Sequence, residues 1–291
     1  VLDMLPDSER ILKTAPATEN YLQFANYRES GYHYQYARNT LQLNRGVAGT
    51  LRFSDIGLLA GVAATDWSWA PLFADFDNDG KKDLLVTAGI YRRPNDLDYI
   101  ASLESIPPGR EPPVAQLIAK MPHVPATNYL FRNTGALAFE NVARAWGLST
   151  HGFSNGAAYA DLDNDGALDL VVNNLDAPAA IYRNRARELD SAAHHSLTVT
   201  LRGSGANTGG VGAKVIVAGS SGRQLVEVMP TRGFESAVDP RAHFGLGANT
   251  RVDSLIVVWP DKRFQVLINV PANQFIIVSQ TSAAGRYPFA R

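Results

Sequence analysis

Two short stretches constrain this chain more than any other: "FADFDNDGKKDLLV" from Phe73 and "YADLDNDGALDLVV" from Tyr159. Each sets four aspartates within nine residues, between apolar segments. Counted from the first aspartate they occupy positions one, three, five and nine. The first loop supplies Asp75, Asp77, Asp79 and Asp83, and the second Asp161, Asp163, Asp165 and Asp169. Like charges this close repel unless a cation neutralises them, and oxygen-only ligands select a hard one. Gly80 and Gly166 at position six allow the sharp turn that aims the next carbonyl, of Lys81 or Ala167, inward. The spacing predicts two calcium sites, each of four aspartate side chains and one carbonyl.

The loop is not that of an EF-hand, which needs a bidentate Glu at position twelve and a helix on each side. Position twelve is Val86 or Val172. The flanks "PLFADF", "DLLVTAG", "AAYADL" and "DLVVNN" are short and rich in β-branched and aromatic residues, so the loop joins two strands. A lone D-x-D would read as an acidic turn on a solvated surface. Two complete D-x-D-x-D-G-x-x-D loops favour the cation.

The repeat extends beyond the loops. "FSDIGLLAGVAATDWSWAPLFADFDNDG" from Phe53 aligns without a gap on "FENVARAWGLSTHGFSNGAAYADLDNDG" from Phe139, and a third echo, "AAIYRNRA", begins at Ala179. Repeats of several short strands with a turn at a fixed place suggest propeller blades. These blades resemble FG-GAP (VCBS) repeats, the calcium-binding blades of integrin-type propellers. The tail, with "GGVGAKVIVAG", "QLVEVMPTRGFESAVDPRAHFGLG" and "VDSLIVVWPDKRFQVLINVPANQFIIV", resembles the ASPIC/UnbV domain that often follows such repeats. Together they are similar to the cartilage acidic protein family, which has many members in bacterial surface proteomes. The resemblance implies an all-β fold with helical insertions, a partial propeller followed by a β-sandwich, and a secreted or cell-surface location, on the outer surface of a bacterium. It implies no reaction.

Charge divides the chain. Net charge is −1, which argues against nucleic acid as a partner. Residues from Ser191 onward carry ten Lys/Arg and five Asp/Glu, a balance of +5, and those before it a balance of −6. The expected organisation is therefore a helical insertion or lid over residues 1–38, blades over 39–190 with a second helical insertion at about 91–127, and a sandwich over 191–291. The absence of cysteine excludes disulfides and thiolate metal sites. No apolar run reaches membrane-spanning length.

By the register of the repeat, the aspartate loop joins a blade's first and second strands, and "NYLFRN" and "FENVA" supply the third and fourth. "NTLQLN" and "LRFSDI" are then late strands of an earlier blade, and "AAIYRN" the third strand of a later one. One full blade and two partial ones cannot close a ring of about four to eight. The expectation is the C-terminal part of a longer polypeptide, with strands lent by another chain as the alternative. "SERILKTA" and "TENYLQFANYRES", with Ser8 and Thr18 near their starts, have helical spacing, as do "NDLDYIASLESI" and "PPVAQLIAKM". Insertions on one face of a repeat array often form its binding surface. The second insertion brings Tyr91, Arg92, Arg93, Asp96, Asp98 and Tyr99 together in sequence, a mixture of planar and charged groups suited to sugar hydroxyls or a protein partner. A solvated lid with internal ion pairs is the equal alternative.

Six apolar or alternating segments from "SLTVTLRG" to "QFIIVSQ" predict a sandwich of about seven strands. His243 in "HFGLG" has no carboxylate or second histidine at useful spacing and reads as structural. His194 and His195 read as solvated linker residues. No nucleophile-elbow, zincin or P-loop pattern occurs, so no catalytic residue is assigned. The functional expectation is a calcium-stabilised extracellular binding or assembly module for glycan or protein. The alternatives are a carbohydrate-active enzyme or its accessory subunit, with catalytic parts upstream, and a self-assembling subunit of an extracellular polymer.

Overall fold

The computed structural model describes residues 1–15, 21–34, 36–46, 50–220 and 222–288. Thr18, expected near the start of the second helix, lies outside the described residues. Two short helices, α1 (Glu9–Thr14) and α2 (Tyr21–Glu29), open the chain. Ser8 stands at the N-cap of α1 but makes no side-chain capping bond. Strands β1 (Gln42–Asn44) and β2 (Phe53–Asp55) then pair antiparallel, as expected of the late strands of a blade.

The full repeat forms a four-stranded antiparallel sheet. Strands β3 (Ser68–Ala74) and β4 (Asp83–Ala88) flank the first aspartate loop. After the insertion, carrying α3 (Leu97–Glu104) and α4 (Val114–Lys120), come β5 (Ala126–Thr127), β6 (Tyr129–Gly135) and β7 (Ala138–Asn141). The order is β3-β4-β6-β7. Strand β4 is buried along its whole length, and its run "DLLVTA" is apolar on both faces after the aspartate except at Thr87. Its neighbour β6 sets Leu130 against Leu85 and Tyr129 against Val86. Strand β8 (His151–Gly152) pairs with β5. The second repeat gives β9 (Ser154–Ala160), β10 (Asp169–Asn174) and β11 (Ala180–Tyr182), in the order β11-β10-β9. Among the described residues this sheet has no fourth strand. The architecture is mainly β with helical insertions, and its blade-like sheets are not closed into a ring.

Helix α5 (Ala186–Leu189) leads into the tail. There β12 (His195–Arg202), β13 (Lys214–Gly219), β14 (Gly222–Glu227), β15 (Ala242–Gly247), β16 (Arg251–Val258), β17 (Arg263–Pro271), β18 (Gln274–Ser279) and β19 (Ala284–Arg286) form two sheets. Their orders are β15-β12-β18 and β14-β13-β16-β17-β19. Alternate residues of β12 (Leu197, Val199, Leu201) and of β13 (Val215, Val217) meet Leu255, Val257, Phe244 and Trp259 in one core. Six of these strands are the segments expected from sequence. Strands β15 and β19 are additions, and in β15, "AHFGLG", the glycines and histidine carry little strand propensity.

Compactness divides the chain otherwise than the sequence boundary at 190. One unit comprises residues 1–71, 84–156 and 173–179, and the other residues 72–83, 157–172 and 180–291. The first is centred on Ala60, Val62, Leu84, Val86, Ala88, Tyr129 and Phe131. The second holds the tail's core and takes in both aspartate loops. No helix among the described residues is long and apolar enough to cross a membrane. Leu255 is fully buried in the tail's core. Leu255→Ala is expected to destabilise this unit by about 2–5 kcal/mol, read from its denaturant midpoint. A midpoint within error of the unsubstituted protein would contradict the packing described.

Candidate metal centres

The two loops share one backbone solution. Asn78 and Asn164 at position four have φ of 55° and 57°, and Gly80 and Gly166 at position six have φ of 92° and 90°. Asparagine and glycine tolerate this left-handed region, which lets the chain coil around its own carboxylates. Asp75 Oδ2 accepts from Gly80 N at 2.9 Å, and Asp161 Oδ2 from Gly166 N at 3.0 Å. At position nine, Asp83 Oδ2 accepts from Phe76 N at 3.0 Å and Asp169 Oδ2 from Leu162 N at 2.9 Å. Each loop therefore closes on itself through its first and last aspartates.

This folding draws Asp75, Asp77 and Asp83 together, with one oxygen of each within 4.8 Å of the others, and does the same for Asp161, Asp163 and Asp169. Asp79 and Asp165 at position five stand outside these triads. Asp79 is held by Lys81, whose Nζ lies 2.8 Å from Oδ2. Asp165 Oδ1 accepts from Ala167 N at 2.8 Å. The triads are unlike in exposure. Asp75, Asp77 and Asp83 are all buried, whereas Asp163 is exposed and paired with Arg183 at 2.8 Å.

The donor set fits a hard cation. Asp75 Oδ1 and Asp165 Oδ2 are buried without a hydrogen-bond partner. A buried acceptor left this way costs about 1–3 kcal/mol, and more when charged. Burial pushes the Asp75 carboxyl up to about 8. The charge of Lys82 pulls the other way, and Asp77 and Asp83 add to the rise. Burial likewise raises Asp161 and Asp165, while Arg183 holds Asp163 low. A divalent ion among these oxygens would replace the missing donors and make the ionised forms favourable. Asp75, Asp77 and Asp83 would hold one ion, and Asp161, Asp163 and Asp169 the other.

His243 was expected to be structural, and its contacts show how. It is buried, Nε2 lies 2.8 Å from Asn78 Oδ1, and Nδ1 lies 3.3 Å from Thr198 Oγ1. Burial, with the charges of Lys82, Arg241 and Arg187, drives its pKa down to about 3, so the ring is neutral. Two residues earlier Arg241 donates to Asn164 Oδ1 and to the Asp161 carbonyl, both at 2.8 Å. Two residues later a Cβ on Gly245 would lie 2.1 Å from Asp75 Oδ2. His194, read from sequence as solvated, instead contacts the Asp77 carbonyl through Nδ1. These residues that contact the loops lie far from them in sequence. The only local signal was the glycine-flanked histidine itself.

The expected ligand patch needs correction. Arg93 is buried in an ion pair with Asp66, and Tyr99 is buried. Asp96 is spent as the N-cap of α3, accepting from Tyr99 N at 3.0 Å. Asp66, distant in sequence, draws Arg93 inward. Tyr91, Arg92 and Asp98 keep surface. Tyr91 packs edge-on against His123 and Phe153 and donates to Asp176 at 3.0 Å. A larger set of exposed rings lies elsewhere in the same unit. Tyr32, Tyr34 and Tyr36 are each about half exposed, Tyr34 and Tyr36 stack with centroids 6.3 Å apart, and Arg28 lies 3.7 Å above the Tyr34 ring.

Comparison with known families agrees with the repeat and tail read from sequence. The FG-GAP-like repeat family matches residues 30–86 and 118–172, and the ASPIC and UnbV family matches residues 203–285. No curated protein sequence matches the chain.

The buried groups set a pH dependence. Folded Asp75 keeps its proton up to about 8, whereas the unfolded carboxyl loses it near 3.8. Folded His243 stays neutral down to about 3, whereas unfolded it protonates near 6.5. Below 6.5 the Asp75 and His243 slopes oppose each other, and above it the His243 slope is spent, while the raised Asp161 and Asp165 act with Asp75 and the lowered Lys82 acts against it. Chelated protein should therefore lose about 1 kcal/mol of stability from pH 6.5 to 8, and added calcium should abolish the loss. Denaturant titrations with chelator and with calcium check this. Stability that rises with pH in chelator would overturn the electrostatic account.

Proposed function

We propose that this chain, which joins FG-GAP-like repeats to an ASPIC and UnbV domain, is a calcium-stabilised extracellular binding module. The observation that carries the reading is the pair of acidic triads, with Asp75 Oδ1 buried and without a donor. Millimolar calcium is an extracellular condition, and sites of this type bind with dissociation constants of about 0.1–1 mM. FG-GAP-like repeats support a secreted or cell-surface location. Calcium acts here as a structural ion. It neutralises the triads and fixes the turns that end β3 and β9.

The partner is a glycan or a protein, and its contact surface is the exposed aromatic set of the first unit. Stacked, half-exposed tyrosine faces offer a flat apolar surface with hydroxyls at the rim, suited to the C–H face of a sugar ring. Arg28 beside them supplies hydrogen-bond donors. Tyr91, Arg92 and Asp98 of the helical insertion offer a smaller surface of the same kind. A self-assembly reading has its own observation. Strand β11, at the edge of a three-stranded sheet, leaves Ile181 69% exposed, and an open edge of this sort accepts a strand from another chain.

Calcium at about ten times its dissociation constant should raise the melting temperature of chelated protein by about 5 °C or more. An unchanged melting temperature together with no calorimetric binding would remove the calcium reading. Replacing Tyr34 and Tyr36 by Ala should abolish retention on a glycan array or of a protein partner in a pull-down, with the calcium-dependent melting unchanged. Retained binding would move the contact surface elsewhere, and hydrolysis of any arrayed glycan would favour the enzyme alternative.

A further inference from the structure

The two aspartate loops are joined to each other by side chains that belong to neither triad. Asn78, at position four of the first loop, donates from Nδ2 to the Gly166 carbonyl at 2.9 Å and to the His194 carbonyl at 3.4 Å. Two flanking carbonyls identify this end of the amide as the NH2 group. Its Oδ1 therefore accepts, and His243 Nε2 must carry the proton that it accepts at 2.8 Å. The Thr198 hydroxyl then donates to Nδ1. Gly166 is itself the turn residue of the second loop, and its N–H is held by Asp161.

A second link runs the other way. Asn184 Nδ2 donates to the Phe76 carbonyl of the first loop at 2.6 Å and to the Leu168 carbonyl of the second at 3.0 Å. Its backbone N donates to Asp169 Oδ1 at 2.8 Å. The sandwich grips both loops along one line. His243 and Gly245 alternate along β15 and share a face, with Arg241 just before the strand, and the three meet the first loop's Asn78, the first loop's Asp75 and the second loop respectively.

We propose that the two loops are one coupled cation-binding unit, in which Asn78, Asn184 and His243 are positioning residues and the ion in either loop strengthens binding in the other. The proposal rests on the calcium reading of the loops. An ion bound between Asp75, Asp77 and Asp83 fixes the backbone on both sides of Asn78. That fixes its amide on Gly166, and hence the turn that Asp161, Asp163 and Asp169 enclose. Without the ion the same amide holds a turn whose carboxylates repel, and the second loop must order itself. Coupling of this kind amounts to about fivefold or more in affinity, and by linkage it is reciprocal. His243 carries the coupling into β15, so filling the loops also orders that strand.

The test is calcium titration by calorimetry of the full chain, with hydrogen exchange of β15 as the second readout. Asp77→Asn disables the first loop and Asp163→Asn the second. In each, the surviving loop should bind calcium about fivefold more weakly than in the unsubstituted protein. Asn78→Gly removes no side-chain ligand and keeps the left-handed backbone, and it should reduce both loops to those single-site affinities. His243→Leu should do likewise and should lose the calcium-dependent protection of β15. His243→Gln, which can still donate to Asn78, should restore both, a rescue that a merely space-filling role would not give. Equal affinities in single-loop and unsubstituted proteins would overturn the coupling and leave the calcium reading intact. No calcium binding by the unsubstituted protein would overturn both.

Discussion

Mutual repulsion among buried carboxylates is the constraint on which the loops and their surroundings depend. A lone buried carboxylate can be neutralised by a proton or paired with a base, but three within 4.8 Å of one another need more than either. The protein supplies backbone N–H groups where it can, at Gly80, Phe76, Gly166 and Leu162. Those bonds use one oxygen of each position-one and position-nine aspartate. In the second loop the other oxygens also accept, Asp161 Oδ1 from Asp165 N and Asp169 Oδ1 from Asn184 N, whereas Asp75 Oδ1 in the first receives no donor at all. An oxygen cage that is closed by its own backbone and still short of positive charge has the chemistry of a hard-cation site.

The same constraint explains the composition of β15. A strand built for a hydrophobic core would alternate large apolar and polar residues, yet β15 sets His243 and Gly245 on one face, with Arg241 immediately before it. Each is fitted to a loop rather than to water. Arg241 brings positive charge to the second loop's backbone oxygen and to Asn164. His243 brings a neutral donor to Asn78, where a charged side chain would face Lys82. Gly245 brings nothing, which is what the approach of Asp75 requires. The opposite face, with Ala242, Phe244 and Leu246, belongs to the core. One strand thus serves the sandwich on one side and the loops on the other.

The parts legible in the sequence were those encoded locally. The aspartate spacing, with glycine at position six, specifies a turn and a convergent group of carboxylates within nine residues. The repeat then fixes strand register around it, which is why β3-β4-β6-β7 and β11-β10-β9 follow the expected order. What sequence did not show depends on partners far along the chain. Arg93 read as a surface cation because its neighbours are polar, but Asp66, 27 residues away, takes it inside. His243 read as isolated because its partner Asn78 lies 165 residues earlier. Asp96 was the exception that local reasoning could have caught, since an aspartate three residues before a helical N–H is a capping signal. Tyr32, Tyr34 and Tyr36 carried a composition signal, three rings in five residues, without a reason to expect their faces in solvent.

The two loops are alike in backbone and unlike in charge: position seven is Lys81 in the first and Ala167 in the second, and positions three and eight differ in setting or residue as well. Position eight is Lys82 in the first loop and Leu168 in the second. Position three is the buried Asp77 in the first and the exposed, Arg183-paired Asp163 in the second. The first loop thus keeps its compensating charge in the loop itself, on a side chain whose own pKa burial lowers. The second borrows its charge at the surface, from an arginine that solvent also screens. An ion entering the second loop would displace a weak surface pair, whereas one entering the first would supply the partner that Asp75 Oδ1 lacks. Equal ligand sets therefore do not imply equal sites. The asymmetry gives the links through Asn78 and Asn184 something to transmit, because two identical and independent loops would have no need of them.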